Sequence, residues 1–213
     1  MANLAQVLRL RHYGNIKGIE LFRKAKAMSP VNPSFDPENL YFITTTSVNR
    51  SHLFTPDKHK QIIADSLVYM RQKGWFNLYA FVIMPNHIHL IVKFFSPYNL
   101  SNVMRDFKKY TSKQIVRNCR AENLRELLSY IESAGEAGAK SQYKVWEEGY
   151  DVREVFSISF LEQKLDYIHH NPCQPHWGLV EKPDDYLWSS ACFYLEGRPT
   201  IIDIDDLREF LVS

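Results

Sequence analysis

No apolar run in this chain of 213 residues approaches the roughly 18 residues needed to cross a bilayer, and stretches such as that around residues 88–92 fall far short. The amino terminus also lacks an apolar signal core followed by a cleavage site, so a soluble protein of the cytoplasm with no membrane partner is expected. Cysteine is scarce. Cys119, Cys173 and Cys192 are odd in number, widely spaced and contain no CxxC pair, which argues against thiolate zinc and thiol redox chemistry. They read as small hydrophobes in a reducing compartment. Excess charge of one sign is missing as well. With 26 Lys+Arg against 24 Asp+Glu the net charge is +2, so neither a disordered polyelectrolyte nor a histone-like tail describes the whole chain. Internal repeats and low-complexity segments are absent.

What is present is 45% apolar and 14% aromatic content, enough for one substantial core and little more than one domain. The near-neutral total hides an asymmetry. Residues 1–118 hold 17 Lys+Arg and 6 Asp+Glu, whereas residues 119–213 hold 9 and 18, so the first part of the chain is the part suited to a polyanion.

Residues 1–37 read as a basic arm containing Arg9, Arg11, Lys17, Arg23, Lys24 and Lys26, followed by a turn-rich stretch at 29–34. Residues 40–48 are dense in β-branched and aromatic side chains and predict a first strand. Thr55 and Pro56 open a helix whose buried face is Ile62, Ile63, Leu67 and Met70 and which ends at Gly74. Apolar runs at 76–84 and 87–95, separated only by Pro85-Asn86, predict an antiparallel hairpin. A helix capped by Ser101 then runs to about 118, with Val103, Phe107, Tyr110 and Gln114 on its stripe, and another spans 121–133. A flexible loop at 133–141, a strand at 143–146 and a helix at 159–169 follow. This order suits an α+β domain with helices packed on one face of an antiparallel sheet. The expected layout is the arm, a catalytic domain over 38–190, and a tail over 191–213 with one short helix.

Two groups of side chains carry possible chemistry. In Met84-Pro85-Asn86-His87-Ile88-His89-Leu90 the histidines flank one residue of a strand, so both project from the same face within reach of one metal ion. Alone, such a pair is compatible with polar-face or hydrogen-bonded core histidines as well as with a metal site. The helix that follows carries Arg105, Lys108, Lys109, Lys113 and Arg117 around Tyr110, with Gln114 one turn later. A core tyrosine needs no such cations, but a phosphate does. Adjacent His169 and His170 diverge on a helix and make a poor second metal site. Trp75, Phe95, Tyr98 and Tyr143 are stacking candidates or core residues.

The string Ile83-Met84-Pro85-Asn86-His87-Ile88-His89-Leu90-Ile91, followed by a lysine-flanked tyrosine, resembles the single-tyrosine HUH transposases, and in particular their REP-associated (IS200-like) branch. Tyr167-Ile168-His169-His170-Asn171-Pro172, Gly178-Leu179-Val180 and Pro183-Asp184-Asp185-Tyr186-Leu187-Trp188-Ser189-Ser190 resemble that branch's C-terminal pattern, so the likeness covers roughly residues 40–190. It implies a ferredoxin-like or RRM-like antiparallel sheet with flanking helices and the histidine hairpin on its central strands. It also implies a divalent metal, magnesium or manganese, and cleavage and rejoining of single-stranded DNA at hairpin-containing sites through a 5′-phosphotyrosine. Carried across, His87, His89 and Gln114 are the implied metal ligands and Tyr110 the implied nucleophile. Read from charge and not from the resemblance, which matches no motif in the arm or in the tail after Ser190, Arg105, Lys108, Lys109, Lys113, Arg117, Arg9 and Arg11 are the expected DNA contacts, and the protein is expected as a monomer or homodimer. Glu147 and Glu148 depart from the basic or neutral residues expected after Trp146. Rival readings are a relative that binds nucleic acid without chemistry and a hydrolase that never forms a covalent bond.

Overall fold

The computed structural model describes residues 36–137 and 142–212. The basic arm, with Arg9 and Arg11, lies outside the described residues. Four strands, β1 (Tyr41–Thr46), β2 (Phe76–Ile83), β3 (His87–Phe94) and β4 (Asp151–Glu154), form one antiparallel sheet in the order β2-β3-β1-β4. Helices α1 (Asp57–Gln72), α2 (Leu100–Ala121), α3 (Arg125–Ala137), α4 (Ile158–His170), α5 (Ala191–Glu196) and α6 (Leu207–Val212) surround it. This is the expected α+β, ferredoxin-like architecture. The histidine strand β3 is central, while its hairpin partner β2 stands at the end of the sheet.

The two sheet faces divide the molecule. One face presents Ile43, Ile88, Leu90 and Val92, all fully or nearly fully buried. Trp146 belongs to this side, because it bridges Ser47 and its ring packs on Phe54 and on Phe107 of α2. Its indole N–H donates to Thr111 of α2 at 2.9 Å, so α2, with α1 beside it, is the cover of this face. The opposite face presents Phe42, Thr44, His87 and His89, in register across β1 and β3. Helix α4 covers it, since Tyr167 packs on both Phe42 and His89. The sheet is therefore covered on both faces, not on one as the element order suggested.

Several local expectations shift for physical reasons. Thr55 does not cap α1; Pro56 takes the N-cap position without a side-chain bond. Asn99, not Ser101, caps α2, its side-chain oxygen accepting from the Asn102 N–H at 2.9 Å. The strand expected at 143–146 is reduced to the bridge at Trp146, whose side chain is drawn into the core. Glu147 turns back to accept from the Asn49 N–H at 2.6 Å, and the fourth strand forms only after Gly149, at φ +69°. Helix α3 continues through residues 133–137, where a loop was expected.

Residues 188–190 continue the pairing beyond β2: the Ile83 N–H donates to the Trp188 carbonyl at 2.8 Å and the Ser190 N–H to the Phe81 carbonyl at 3.0 Å. An otherwise open edge is thereby satisfied. Two short helices follow, and Ile202, Leu207 and Leu211 are buried in the same core. Asp205 fastens this segment to β2 where the strand register slips between Leu78 and Ala80. Its carboxylate accepts from the Leu78 N–H at 2.9 Å and pairs with Arg71 through Nε and Nη2 at 2.9 and 3.0 Å. Asp205→Ala strands a backbone donor and a half-buried guanidinium, and is expected to lower unfolding free energy by about 1–3 kcal/mol, read as a drop in the urea midpoint.

Candidate active site

The geometry around the histidine pair begins with the turn before β3. The Asn86 amide donates to the Arg50 carbonyl at 2.9 Å, which fixes the orientation of its side chain. Asn86 Oδ1 then accepts from His87 Nδ1 at 2.6 Å, leaving the lone pair of His87 on Nε2. His89 Nδ1 is engaged by Thr44 Oγ1 on β1 at 2.8 Å. The two rings stand edge to face with centroids 4.6 Å apart. This is the arrangement of metal-ligating histidines, in which a partner on one nitrogen orients the other.

Burial sets the electrostatics. It is the first cause holding the His87 imidazole down at about 4, with the nearby charges of Arg50 and His176 adding to it. His89, only 3% exposed, is held well below the ordinary histidine range by burial, then by His87 and Lys164. Both rings are therefore neutral at pH 7, the form that ligates a metal.

Helix α4 brings the remaining groups. Ser157 caps it, its hydroxyl accepting from the Phe160 N–H at 3.2 Å. Phe160, Lys164, Tyr167 and Asn171 follow at spacings of four, three and four, which places them along one side of the helix. Lys164 Nζ lies 4.9 Å from the Phe42 ring, which belongs opposite Ile91, and the Tyr167 ring packs on His89 at 5.0 Å. The helix thus runs along β3 from Ile91 toward His87, and its next turn carries Asn171. Asn171 is buried, and its Oδ1 has no hydrogen-bond partner; His89 Nε2 is likewise buried and unpartnered. An unpartnered His89 nitrogen beside the oriented His87 imidazole, with an unpartnered amide oxygen one helical turn beyond Tyr167, fits a hard divalent ion of mixed nitrogen and oxygen ligation. Tyr167 itself stays 43% exposed although its ring packs on His89.

Residues 38–171 match the family described as "Transposase IS200 like". The chain belongs to the IS200-like transposase family. Among solved structures, this transposase is similar to a REP-associated tyrosine transposase bound to a REP hairpin, at 20% identity and a TM-score of 0.57, over 84% of this chain and 93% of that one. A candidate transposase from Deinococcus radiodurans R1 is 16% identical with a TM-score of 0.41, over 67% of this chain and 95% of that one. No curated protein matches the chain. Among the described residues of this transposase, no helix is long and apolar enough to cross a membrane.

Tyr110 and Gln114 are not brought to the histidines. They lie on α2, on the far side of the sheet, where they line a groove against Lys58, Ile62 and Asp65 of α1. The reason is packing: Phe107, Thr111 and Ile115 take the buried stripe of α2, which turns Tyr110 outward to 50% exposure. The cations of α2 follow the same helix. Lys109, Lys113 and Arg117 are exposed on that side, and Arg105 pairs with Asp106 at 2.9 Å. Lys108 is not available to DNA, because its ammonium donates to the carbonyls of Glu147 and Gly149 and burial lowers it to about 8. Among the described residues, the cations of the expected set therefore stay with α2, while Arg50 stands near His87 and Lys164 near His89.

What the sequence reading passed over is Tyr167 with Asn171, a phenol and a side-chain amide one helical turn apart, the same spacing as Tyr110 and Gln114. The signal lay in a string already set aside as family-like. Its neighbour His169 is a core residue: Nε2 meets Ser190 Oγ at 3.0 Å and burial lowers it to about 3. Of the aromatics considered for stacking, Trp75 and Tyr98 stack on each other at 5.2 Å, and Tyr143 is bonded by Arg120.

Proposed function

We propose that this transposase cleaves and rejoins single-stranded DNA with Tyr167 as the nucleophile. The observation that carries the reading is the packing of an exposed tyrosine against His89, one turn before a buried amide oxygen without a partner. His87, His89 and Asn171 would hold magnesium or manganese, which when bound draws charge from a non-bridging phosphate oxygen and so eases attack by an anion. The protein's own contribution is orientation. Asn86 and Thr44 fix the imidazoles, α4 sets the phenol beside them, and Lys164, 5.6 Å from the Tyr167 ring, supplies a positive charge that a phosphate can meet.

In the first step Tyr167 Oη forms a bond to phosphorus and its proton passes to water, while the bond to the 3′ oxygen breaks and that oxygen is protonated. The product is a 5′-phosphotyrosine and a free 3′-hydroxyl. A 3′-hydroxyl from another strand end can then attack the same phosphorus and expel the phenolate, so rejoining needs no nucleotide cofactor. The hairpin substrate is supported by the structural neighbour, which is bound to a REP hairpin.

The test mixes the protein with labelled hairpin DNA bearing single-stranded flanks, with manganese or with chelator, and separates products under denaturing conditions. A protein–DNA adduct that forms only with metal is expected. Cleavage without an adduct would replace the transferase by a hydrolase, and neither product would leave only a DNA-binding relative.

A further inference from the structure

Beyond the reacting groups, α4 and the end of β4 carry an aromatic surface that the chemistry does not use. Phe156 is 53% exposed and lies nearly parallel to Phe160, with ring centroids 4.8 Å apart at 22°. A single exposed phenylalanine is ordinary on a protein surface. This one continues into a cation: Lys164 Nζ stands 5.1 Å from the Phe160 ring, 4.9 Å from Phe42 and 5.6 Å from Tyr167. Lys164 makes no ion pair among the described residues. Arg153 stands opposite Phe42 in the sheet register and so on the same face, and its only carboxylate among the described residues is an exposed Asp151 at 3.4 Å. Such a pair is weak and readily exchanged for a phosphate.

Exposed π-faces interleaved with available cations are what unpaired nucleotides require, since bases stack on the rings while phosphates meet the charges. A duplex has no free base faces to offer. An apolar protein partner would have to bury Lys164 and Arg153 with the exposed Asp151 as their shared counter-charge. Phe160 and Tyr167 are seven residues apart, about 10 Å along the helix axis. That spans about three nucleotides of stacked strand at ~3.4 Å each.

We infer that Phe156 and Phe160, with Lys164 and Arg153, form a stacking platform that holds the single-stranded DNA flanking the phosphate attacked at Tyr167. The inference rests on the proposed site but concerns a different part of the substrate. Phe156 touches none of the reacting groups, and its exposure makes Phe156→Ala a mild change for folding.

The full-length protein is tested in chelator, where no cleavage competes, against a fluorescein-labelled blunt hairpin and the same hairpin with an oligo-dT extension on either end. Wild type is expected to bind an extended hairpin more tightly than the blunt one. Phe156→Ala is expected to lose about fivefold or more of that gain while blunt-hairpin affinity changes less than twofold, and Phe156→Trp to restore it. Equal affinities of Phe156→Ala and wild type for every extended hairpin would overturn the platform. So would sedimentation showing that Phe156→Ala only converts a dimer to a monomer. Adduct formation with manganese is measured on the same wild-type preparation. Loss of the extension gain without any wild-type adduct leaves the platform standing and removes the chemistry, whereas an adduct with no effect of Phe156→Ala removes the platform alone.

Discussion

Tyr167→Phe is expected to abolish the covalent protein–DNA adduct, a loss on the order of 10⁴-fold or more in the rate of strand cleavage, while Tyr110→Phe leaves it within about threefold of wild type. Phenylalanine at 167 keeps the ring contacts with His89 and Phe42, at 5.0 and 6.3 Å, so the site keeps its shape and loses only the oxygen that bonds to phosphorus. The same change at 110 removes an exposed hydroxyl from the groove between α1 and α2, on the other side of the sheet. Rates from single-turnover assays with labelled hairpin DNA, together with adduct bands on denaturing gels, read both variants. An adduct that survives Tyr167→Phe and disappears in Tyr110→Phe would reverse the assignment and require a second subunit to deliver Tyr110 to the histidines. Asn171→Ala supplies a graded companion, with metal affinity expected to fall 10- to 100-fold while folding is retained.

That pair of tyrosines shows where the sequence was legible. The His87-Ile88-His89 pair was readable because strand periodicity is two, so residue spacing alone puts both imidazoles on one face. Strands β1 to β3 and helix α2 followed from equally local patterns. Choosing the tyrosine was a different problem, because it turns on which helix covers the histidine face, and no spacing within α2 contains that information. Lysines around Tyr110 looked like a phosphate site, yet α2 buries Phe107, Thr111 and Ile115 against Trp146, and that packing carries Tyr110 away. Position 146 misled for the same reason. The strand expected at 143–146 is reduced to the single bridge at Trp146, whose indole is a core anchor, so the sheet's fourth strand is deferred to 151–154. Asn171 was invisible for a simpler reason: an amide is informative only when its oxygen is seen to be buried and unpaired.

The second large effect is a steep loss of stability in acid, expected from histidines folded in their neutral form. Burial holds His169 at about 3 and His87 at about 4, and it also lowers His59 and His89. In the unfolded chain each titrates near 6.5. Between those limits the unfolded state binds more protons than the native state, so stability is fully present above pH 6.5 and is lost as pH falls toward the folded values. Each such histidine removes up to ~1.4 kcal/mol per pH unit, and His169 alone accounts for a loss on the order of 5 kcal/mol across its whole window. The urea midpoint, measured in chelator so that metal does not contribute, is expected to be flat above pH 7 and to fall continuously below 6.5. His169→Gln isolates one proton from the set. The amide can still reach Ser190 Oγ, and the variant starts less stable at pH 7.5 because it packs less well under Tyr194. Its midpoint then declines less steeply, and the two curves converge toward pH 4. Parallel curves would mean that His169 takes up its proton without leaving the native state, and would leave the acid sensitivity to His59, His87 and His89.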